Sequence, residues 1–284
     1  MDMQRTFPIN GRSQERHART VRTDENGLSM PHHDAHRRVA ARMANHRSCF
    51  QCALRRSCFP GNLNDEIFGE IDRIAVARGP VARGETIFST GDPFRCVYTV
   101  RSGALRTSMI DRTGAEQVIG FTLPGEIVGI ESLGREQHCT RAVALERTTM
   151  CAIPVDRLLR VAQSHPGLQR RVHEIAGDMI RRDHAHFREL GRLNAHQRLL
   201  LFLADLLTRY RVAGFATDEV HLPMYREDIA NYLGVALETI SRMMTRLAEE
   251  GVIEVRHRHI RIIEAGVTAL TGQPANTDST ARGY

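Results

Sequence analysis

Three cysteines stand within ten residues in the segment Cys49-Phe-Gln-Cys52-Ala-Leu-Arg-Arg-Ser-Cys58. Thiolates are soft ligands, and a short loop with a two-residue gap can direct several sulfurs at one zinc ion or iron–sulfur cluster. The C-x2-C-x5-C spacing is neither the bacterial ferredoxin run nor a paired zinc-ribbon knuckle, which needs a second C-x2-C. The residues alone favour a cluster, and zinc binding, a redox-active thiol and no function remain as alternatives. A four-coordinate site would need one more cysteine from a distant part of the chain.

A second motif, between Met224 and Val255, predicts a helix-turn-helix that binds DNA. Gly234 makes the turn between its two helices. The apolar positions of both helices face inward, and they are Ile229, Ala230, Leu233, Ile240, Met244 and Leu247. The outer face of the second helix carries side chains of the types that contact base edges and phosphates: Glu238, Thr239, Ser241, Arg242 and Arg246. The strands at 252–255 and 259–263 predict a small wing, which argues against a plain helical hairpin.

The elements between the two motifs change character at Pro166. From Ile74 to Pro154, short apolar pieces separated by glycine turns predict an antiparallel β-roll. From Pro166 the period is helical, with an apolar stripe that includes Leu168 and continues through Val172, Ile175, Met179, Ile180, Phe187 and Leu190. Asp183 interrupts this stripe. We expect a second copy of the chain to cover the stripe, the alternative being that the roll covers it within one chain.

Composition limits the class of protein. The chain of 284 residues is 42% hydrophobic and 25% charged, which is typical of a globular protein with two domains. All 39 of its basic residues are arginine, and its net charge of +6 permits nucleic-acid binding. Neither a membrane-spanning apolar run nor the apolar segment of a signal peptide is present, so we expect a cytoplasmic protein without membrane partners and without disulfides.

The cysteine run, the roll segment Gly-Phe-Thr-Leu-Pro-Gly-Glu-Ile-Val-Gly and the recognition-helix segment Glu238-Thr-Ile-Ser-Arg242 resemble the CRP/FNR superfamily of bacterial regulators, in particular the FNR-type oxygen sensors. The resemblance runs from about Cys49 to Ile263. It implies an α+β protein with an N-terminal β-roll of the cyclic-nucleotide-binding type, a long dimerisation helix and a C-terminal winged helix-turn-helix. Within it we expect the sensor at 45–165, the helix at 166–193 and the DNA-binding domain at 194–265. The polar residues 1–44 predict a disordered leader, and we expect a flexible tail at 266–284.

The resemblance also implies roles for single residues. Cys151, in Met-Cys-Ala-Ile-Pro, stands where the family has the fourth ligand of a 4Fe-4S cluster, whereas Cys139 and Cys96 do not. Asp183 matches the family's acidic residue in the dimer helix. Glu238, Ser241 and Arg242 match its base-contacting residues and imply a TTGAT-like inverted repeat, with Arg242 as donor to a guanine.

Cyclic nucleotide is not expected, because the positions that bind ribose and phosphate in the receptors of that superfamily carry Gly129-Ile130 and Cys139-Thr140 here. The expected function is oxygen-responsive activation of transcription by a homodimer that binds DNA and RNA polymerase when a 4Fe-4S cluster is assembled. A DNA-binding dimer that senses redox state, zinc or nitric oxide through the same cysteines is the alternative. A remote alternative is an iron–sulfur electron-transfer protein. The sequence does not predict an enzyme active site.

Overall fold

The computed structural model describes residues 48–61, 63–215 and 219–263, and the predicted leader at 1–44 and tail at 266–284 lie outside these residues. A β-roll is followed by a long helix and a winged helix-turn-helix, which confirms the predicted α+β class and architecture. In the described part of the chain, no helix is both long enough and apolar enough to cross a bilayer.

The roll consists of two antiparallel sheets of four strands each. In chain order the strands are β1 Val76–Val81, β2 Thr86–Phe88, β3 Cys96–Ser102, β4 Leu105–Ile110, β5 Glu116–Thr122, β6 Ile127–Val128, β7 Arg141–Ala144 and β8 Thr148–Pro154. The first sheet has the order β1-β8-β3-β6 and the second β2-β7-β4-β5. Gly103 turns the chain from β3 to β4 with a φ of 82°, and a Cβ there would lie 2.4 Å from Thr148 Oγ1, so the turn requires glycine.

Helices cover the outer face of the first sheet. They are a 3-10 turn at Cys49–Gln51, α1 Asp65–Ile74, α2 Val155–Ser164 and α3 Pro166–Arg192. The side chain of Asn64 caps α1 by accepting a hydrogen bond from Ile67 N. The sequence patterns did not predict α2, which follows β8 directly. These helices and the sheet enclose an apolar core formed by Ile71, Val97, Ile153, Leu158, Leu168 and their neighbours.

The DNA-binding domain begins with α4, Ala195–Val212. Asn194 and Gln197 form a capping box at the N-terminus of this helix. The helices α5 Arg226–Leu233 and α6 Leu237–Glu249 follow, and Gly234 joins them with a φ of 63°, in the predicted turn. The wing has strands β10 Ile253–Arg256 and β11 His259–Ile262. A third strand, β9 Glu219–His221, pairs with β11 and was not predicted.

Specific hydrogen bonds join the roll to the DNA-binding domain. Asn231 of α5 meets the edge strand β5, where it accepts from Val118 N at 2.6 Å and donates to Glu116 O at 2.9 Å. An amide side chain thereby satisfies backbone groups that an edge strand leaves unpaired. Nearby, Arg106 of β4 donates to the buried carboxylate of Asp228 at 2.7 Å. The helix-turn-helix is therefore held on its own roll by directional polar contacts.

Candidate metal centre and nucleic-acid interface

Four cysteines from two distant parts of the chain meet on the outer face of the first sheet. The loop at 49–58 supplies Cys49, Cys52 and Cys58, and β8 supplies Cys151. A negative charge on Cys151 or Cys58 raises the pKa of Cys49. A negative charge on Cys52 likewise raises the pKa of Cys58 and of Cys151, so the four sulfurs lie close to one another. All four are free, half-buried thiols. The geometry therefore brings together the four residues that the sequence and the family resemblance select.

The surroundings of Cys49, Cys58 and Cys151 disfavour uncompensated negative charge. Burial, followed by Cys151 and Cys52, raises the pKa of Cys58 to about 12. Burial also raises the pKa of Cys151 to about 11, although the charge of Arg101 opposes the increase. For Cys49, burial and the neighbouring Asp72 raise the pKa in the same direction. A cationic metal centre would compensate the thiolates, because soft metals bind the deprotonated form.

The cysteine loop is anchored to α1. Asp72 accepts hydrogen bonds from Ser48 Oγ at 2.7 Å and from Cys49 N at 2.6 Å. The guanidinium of Arg55 lies 4.9 Å from the ring centre of Phe50 and 5.0 Å from that of Phe68. These contacts hold the loop in place from its first cysteine to the middle of the C-x5-C segment.

One polar side chain of the sheet, that of Thr99, lies beside the thiols. Thr99 on β3 is the cross-strand partner of Cys151, so both side chains lie on the same face of the sheet. Thr99 is only 1% exposed, and its Oγ1 has no hydrogen-bonding partner among the described residues. Burial raises the pKa of Cys58, and the Thr99 hydroxyl acts in the opposite direction as a hydrogen-bond donor to the thiolate form, which places it beside that sulfur. Such a buried, unpaired donor is costly unless an acceptor is present.

The donor set fits a 4Fe-4S cluster. Within the described residues, no three His, Cys, Asp or Glu side chains surround a single-ion position. A four-iron cluster is held by four cysteine thiolates and does not require them to converge on one atom. The unpaired Thr99 hydroxyl and the arginine beside Cys151 also suit an anionic thiolate-bound cluster. Cys139 lies elsewhere, 3.5 Å from Ser132 Oγ and 3.7 Å from Glu131 O.

The long helix α3 connects the cysteine loop to an exposed apolar surface. In its first half, Val172 and Ile175 are buried in the core that also contains Phe59, the residue after Cys58. Arg171 donates from Nε to Phe59 O at 3.2 Å. The expectation that a partner covers the whole stripe is corrected for this half, because the same chain already covers it.

The second half of α3 has no such cover. Ile180 is 55% exposed and Phe187 is 79% exposed, while Asp183 and Leu190 also lie on the surface. Met179 lies at the boundary and packs against the core. Exposed apolar side chains at helical spacing mark an interaction surface rather than a solvated helix. We call the surface of Ile180, Asp183, Phe187 and Leu190 the α3 surface.

The recognition helix α6 presents a polar face. Ile240, Met244 and Leu247 are buried beneath it. Glu238, Arg242 and Arg246 are exposed on the opposite side, and Thr239 and Ser241 are half-buried. Arg242 Nη2 lies 3.5 Å from Thr239 Oγ1, and Arg246 Nε donates to Glu250 at 2.7 Å.

An additional arginine borders the same face. Arg226, the first residue of α5, lines a shallow depression of about 320 Å³ together with Arg242 and Arg246. The cluster of three guanidinium groups suits a phosphate backbone. The sequence reasoning missed Arg226, although an arginine at the start of the first helix of the motif was the available signal.

Cys139 and Thr140, two of the positions compared with cyclic-nucleotide receptors, line a cavity of about 510 Å³ between the roll, α3 and α4. Ile130 is buried, and the Thr140 hydroxyl donates to Glu131 at 2.6 Å. The absence of a nucleotide ligand stays a prediction.

Two domain families match the chain: the cyclic nucleotide-binding domain at residues 79–165 and the Crp-like helix-turn-helix domain at residues 197–266. The transcriptional activator protein FnrA of Stutzerimonas stutzeri is 37% identical over 235 residues, which cover 82% of this chain and 96% of that protein. The anaerobic regulatory protein of Pasteurella multocida is 36% identical, covering 75% of this chain and 78% of that protein. The solved structure of FixK2 from Bradyrhizobium japonicum is similar with a TM-score of 0.62 at 27% identity, covering 69% of this chain and 96% of that one.

Proposed function

Because the chain belongs to the CRP/FNR family of transcription regulators, we propose that it responds to oxygen through a 4Fe-4S cluster held by Cys49, Cys52, Cys58 and Cys151. It is an FNR-like anaerobic regulator that binds DNA, not an enzyme. The observation that carries the proposal is the meeting of these four free thiols, two of which pack against the core that contains the first half of α3. When bound, the cluster would supply the chemical sensitivity to oxygen.

The chain's own residues transmit the state of this site to α3. The four thiolates fix the loop against β8, and the adjoining Phe59 packs against the first half of α3. Arg171 joins the carbonyl of Phe59 to the same helix. Without a common centre the thiols lose their link to β8, so the loop holds α3 less firmly. We propose that this step controls whether the α3 surface can form a dimer.

The α3 surface then forms a homodimer, the assembly of the CRP family. Two copies of Asp183 face each other in this arrangement, and their repulsion keeps association weak until the loop is fixed. The dimer presents its two α6 helices about one turn of DNA apart to a TTGAT-like inverted repeat. Glu238, Thr239, Ser241, Arg242 and Arg246 contact DNA, and the protein recruits RNA polymerase as an activator in the cytoplasm.

The proposal is tested by anaerobic purification, an assay of iron and sulfide, and a visible spectrum recorded while air is admitted. We expect four irons per chain by the stoichiometry of the cluster. Absorbance should fall in air together with the dimer fraction in sedimentation and the affinity for DNA. Stoichiometric zinc, or no iron after anaerobic reconstitution, would contradict the proposal and leave a DNA-binding regulator with another signal.

A further inference from the structure

We infer that the Thr99 hydroxyl donates a hydrogen bond to the thiolate of Cys58 when the cluster is bound, and that this bond sets the potential and air stability of the site. This inference rests on the proposed function. It concerns a sheet residue outside both cysteine segments. Thr99 is a positioning residue here, because it acts on the centre through its ligand.

The position of Thr99 follows from the strand pattern. On β3, Val97 and Thr99 point outward to the helices, whereas Tyr98 and Val100 point into the roll. The neighbouring strand β8 places Cys151 directly opposite Thr99. The cysteine loop therefore packs against the outward face of β3 and β8.

The Thr99 hydroxyl is buried without a strong hydrogen-bond acceptor. Thr99 is 1% exposed, and its Oγ1 finds no partner among the described residues. It lies beside Cys58, whose neutral thiol is a weak acceptor. Threonine at a buried position normally satisfies its hydroxyl, and valine would fill the same space without the penalty. A thiolate is a strong acceptor, so deprotonation of Cys58 on metal binding converts the unpaired hydroxyl into a charge-assisted donor.

The direction of the effect follows from charge. A hydrogen bond onto a cluster ligand favours the more negative, reduced state and raises the reduction potential. A higher potential makes loss of electrons to oxygen less favourable, so the bond slows bleaching. In the metal-free protein the same hydroxyl has only the weakly accepting neutral thiol of Cys58 beside it, so the cost of its desolvation is poorly compensated. Thr99 therefore stabilises the loaded form and destabilises the free form.

The test compares Thr99→Val, Thr99→Ser and the matched control Thr107→Val, which makes the same change at a buried threonine in the second sheet. In Thr99→Val we expect a lower midpoint potential and a rate of bleaching in air about tenfold higher, the ratio that corresponds to a hydrogen bond onto a charged acceptor. Thr99→Ser should match the wild type, because it keeps the hydroxyl. Thr107→Val should leave potential and bleaching unchanged.

Thermal unfolding of the metal-free protein supplies an independent readout. The melting temperature of metal-free Thr99→Val should equal or exceed that of the wild type, whereas a purely structural threonine would give a decrease. A wild-type potential and bleaching rate in Thr99→Val would overturn the inference and leave the proposed function intact. A wild-type protein that assembles no iron–sulfur cluster would overturn both.

Discussion

We expect the variant Arg171→Met to separate cluster binding from dimerisation. Its Nε donates to Phe59 O at 3.2 Å, and the side chain is 24% exposed. A hydrogen bond from a charged donor contributes about 1.5 to 3 kcal/mol when buried, and partial exposure reduces this to about 1 kcal/mol. Two such bonds per dimer amount to about 2 kcal/mol, so the dissociation constant of the dimer should rise by up to about thirtyfold.

Sedimentation velocity of the anaerobic, iron-loaded protein over a concentration series measures this constant. Iron content and the rate of bleaching in air should stay at wild-type values, because Arg171 does not contact a thiol. Arg170→Met is the matched control. It removes an equal charge from the preceding, exposed position, where no hydrogen bond or ion pair to the described residues is lost. Arg171→Lys should recover part of the effect, since lysine keeps the charge without the guanidinium geometry.

Two results would refute this reasoning. An iron-loaded Arg171→Met protein that dimerises like the wild type would show that the loop does not act on α3 through this bond. Equal losses in Arg170→Met and Arg171→Met would assign the effect to the general charge of the helix. In either case the signal would have to reach the α3 surface by the apolar contacts of Phe59 alone.

Further predictions concern the thiols, the dimer and DNA. Cys151→Ala should lose most of its iron under anaerobic conditions, whereas Cys139→Ala should keep it, and an iron assay distinguishes the two. Asp183→Ala should dimerise at least about tenfold more tightly and bind DNA in air, because it removes the repulsion of facing carboxylates; a variant that stays monomeric contradicts this. Arg242→Ala should lose about 1 to 3 kcal/mol of discrimination at the guanine, measured by competition with base-substituted repeats.

The elements with strong periodicity could be predicted from the sequence. The glycine turns and short apolar pieces gave the roll, and Gly234 with the apolar positions around it gave the helix-turn-helix. The local cysteine spacing gave three of the four thiols. The fourth, Cys151, came from the family resemblance, because no local pattern shows which strand of a roll lies beneath a distant loop.

The surface that covers each apolar position could not be predicted. Val172 and Phe187 belong to the same helical stripe, yet the first is 9% exposed and the second 79% exposed. Periodicity records that a position is apolar and leaves open whether its own chain or a partner covers it. The division arises because α1 and the cysteine loop reach only the first half of α3. Helix α2 was not predicted because it follows β8 directly, without a turn signal between them.

The contacts between roll and helix-turn-helix bear on where control is exerted. Asp228 has a side chain only 6% exposed and is paired with Arg106, and separating them would leave a buried charge, at a cost of about 3 to 5 kcal/mol. The side chain of Asn231 adds two hydrogen bonds to the backbone of β5. We therefore expect each DNA-binding domain to move with its own roll. Association of two chains along α3 is then sufficient to set the spacing of the two α6 helices, so the signal need not release the domain. This places the proposed control at α3, which Phe59 and Arg171 connect directly to the cysteine loop.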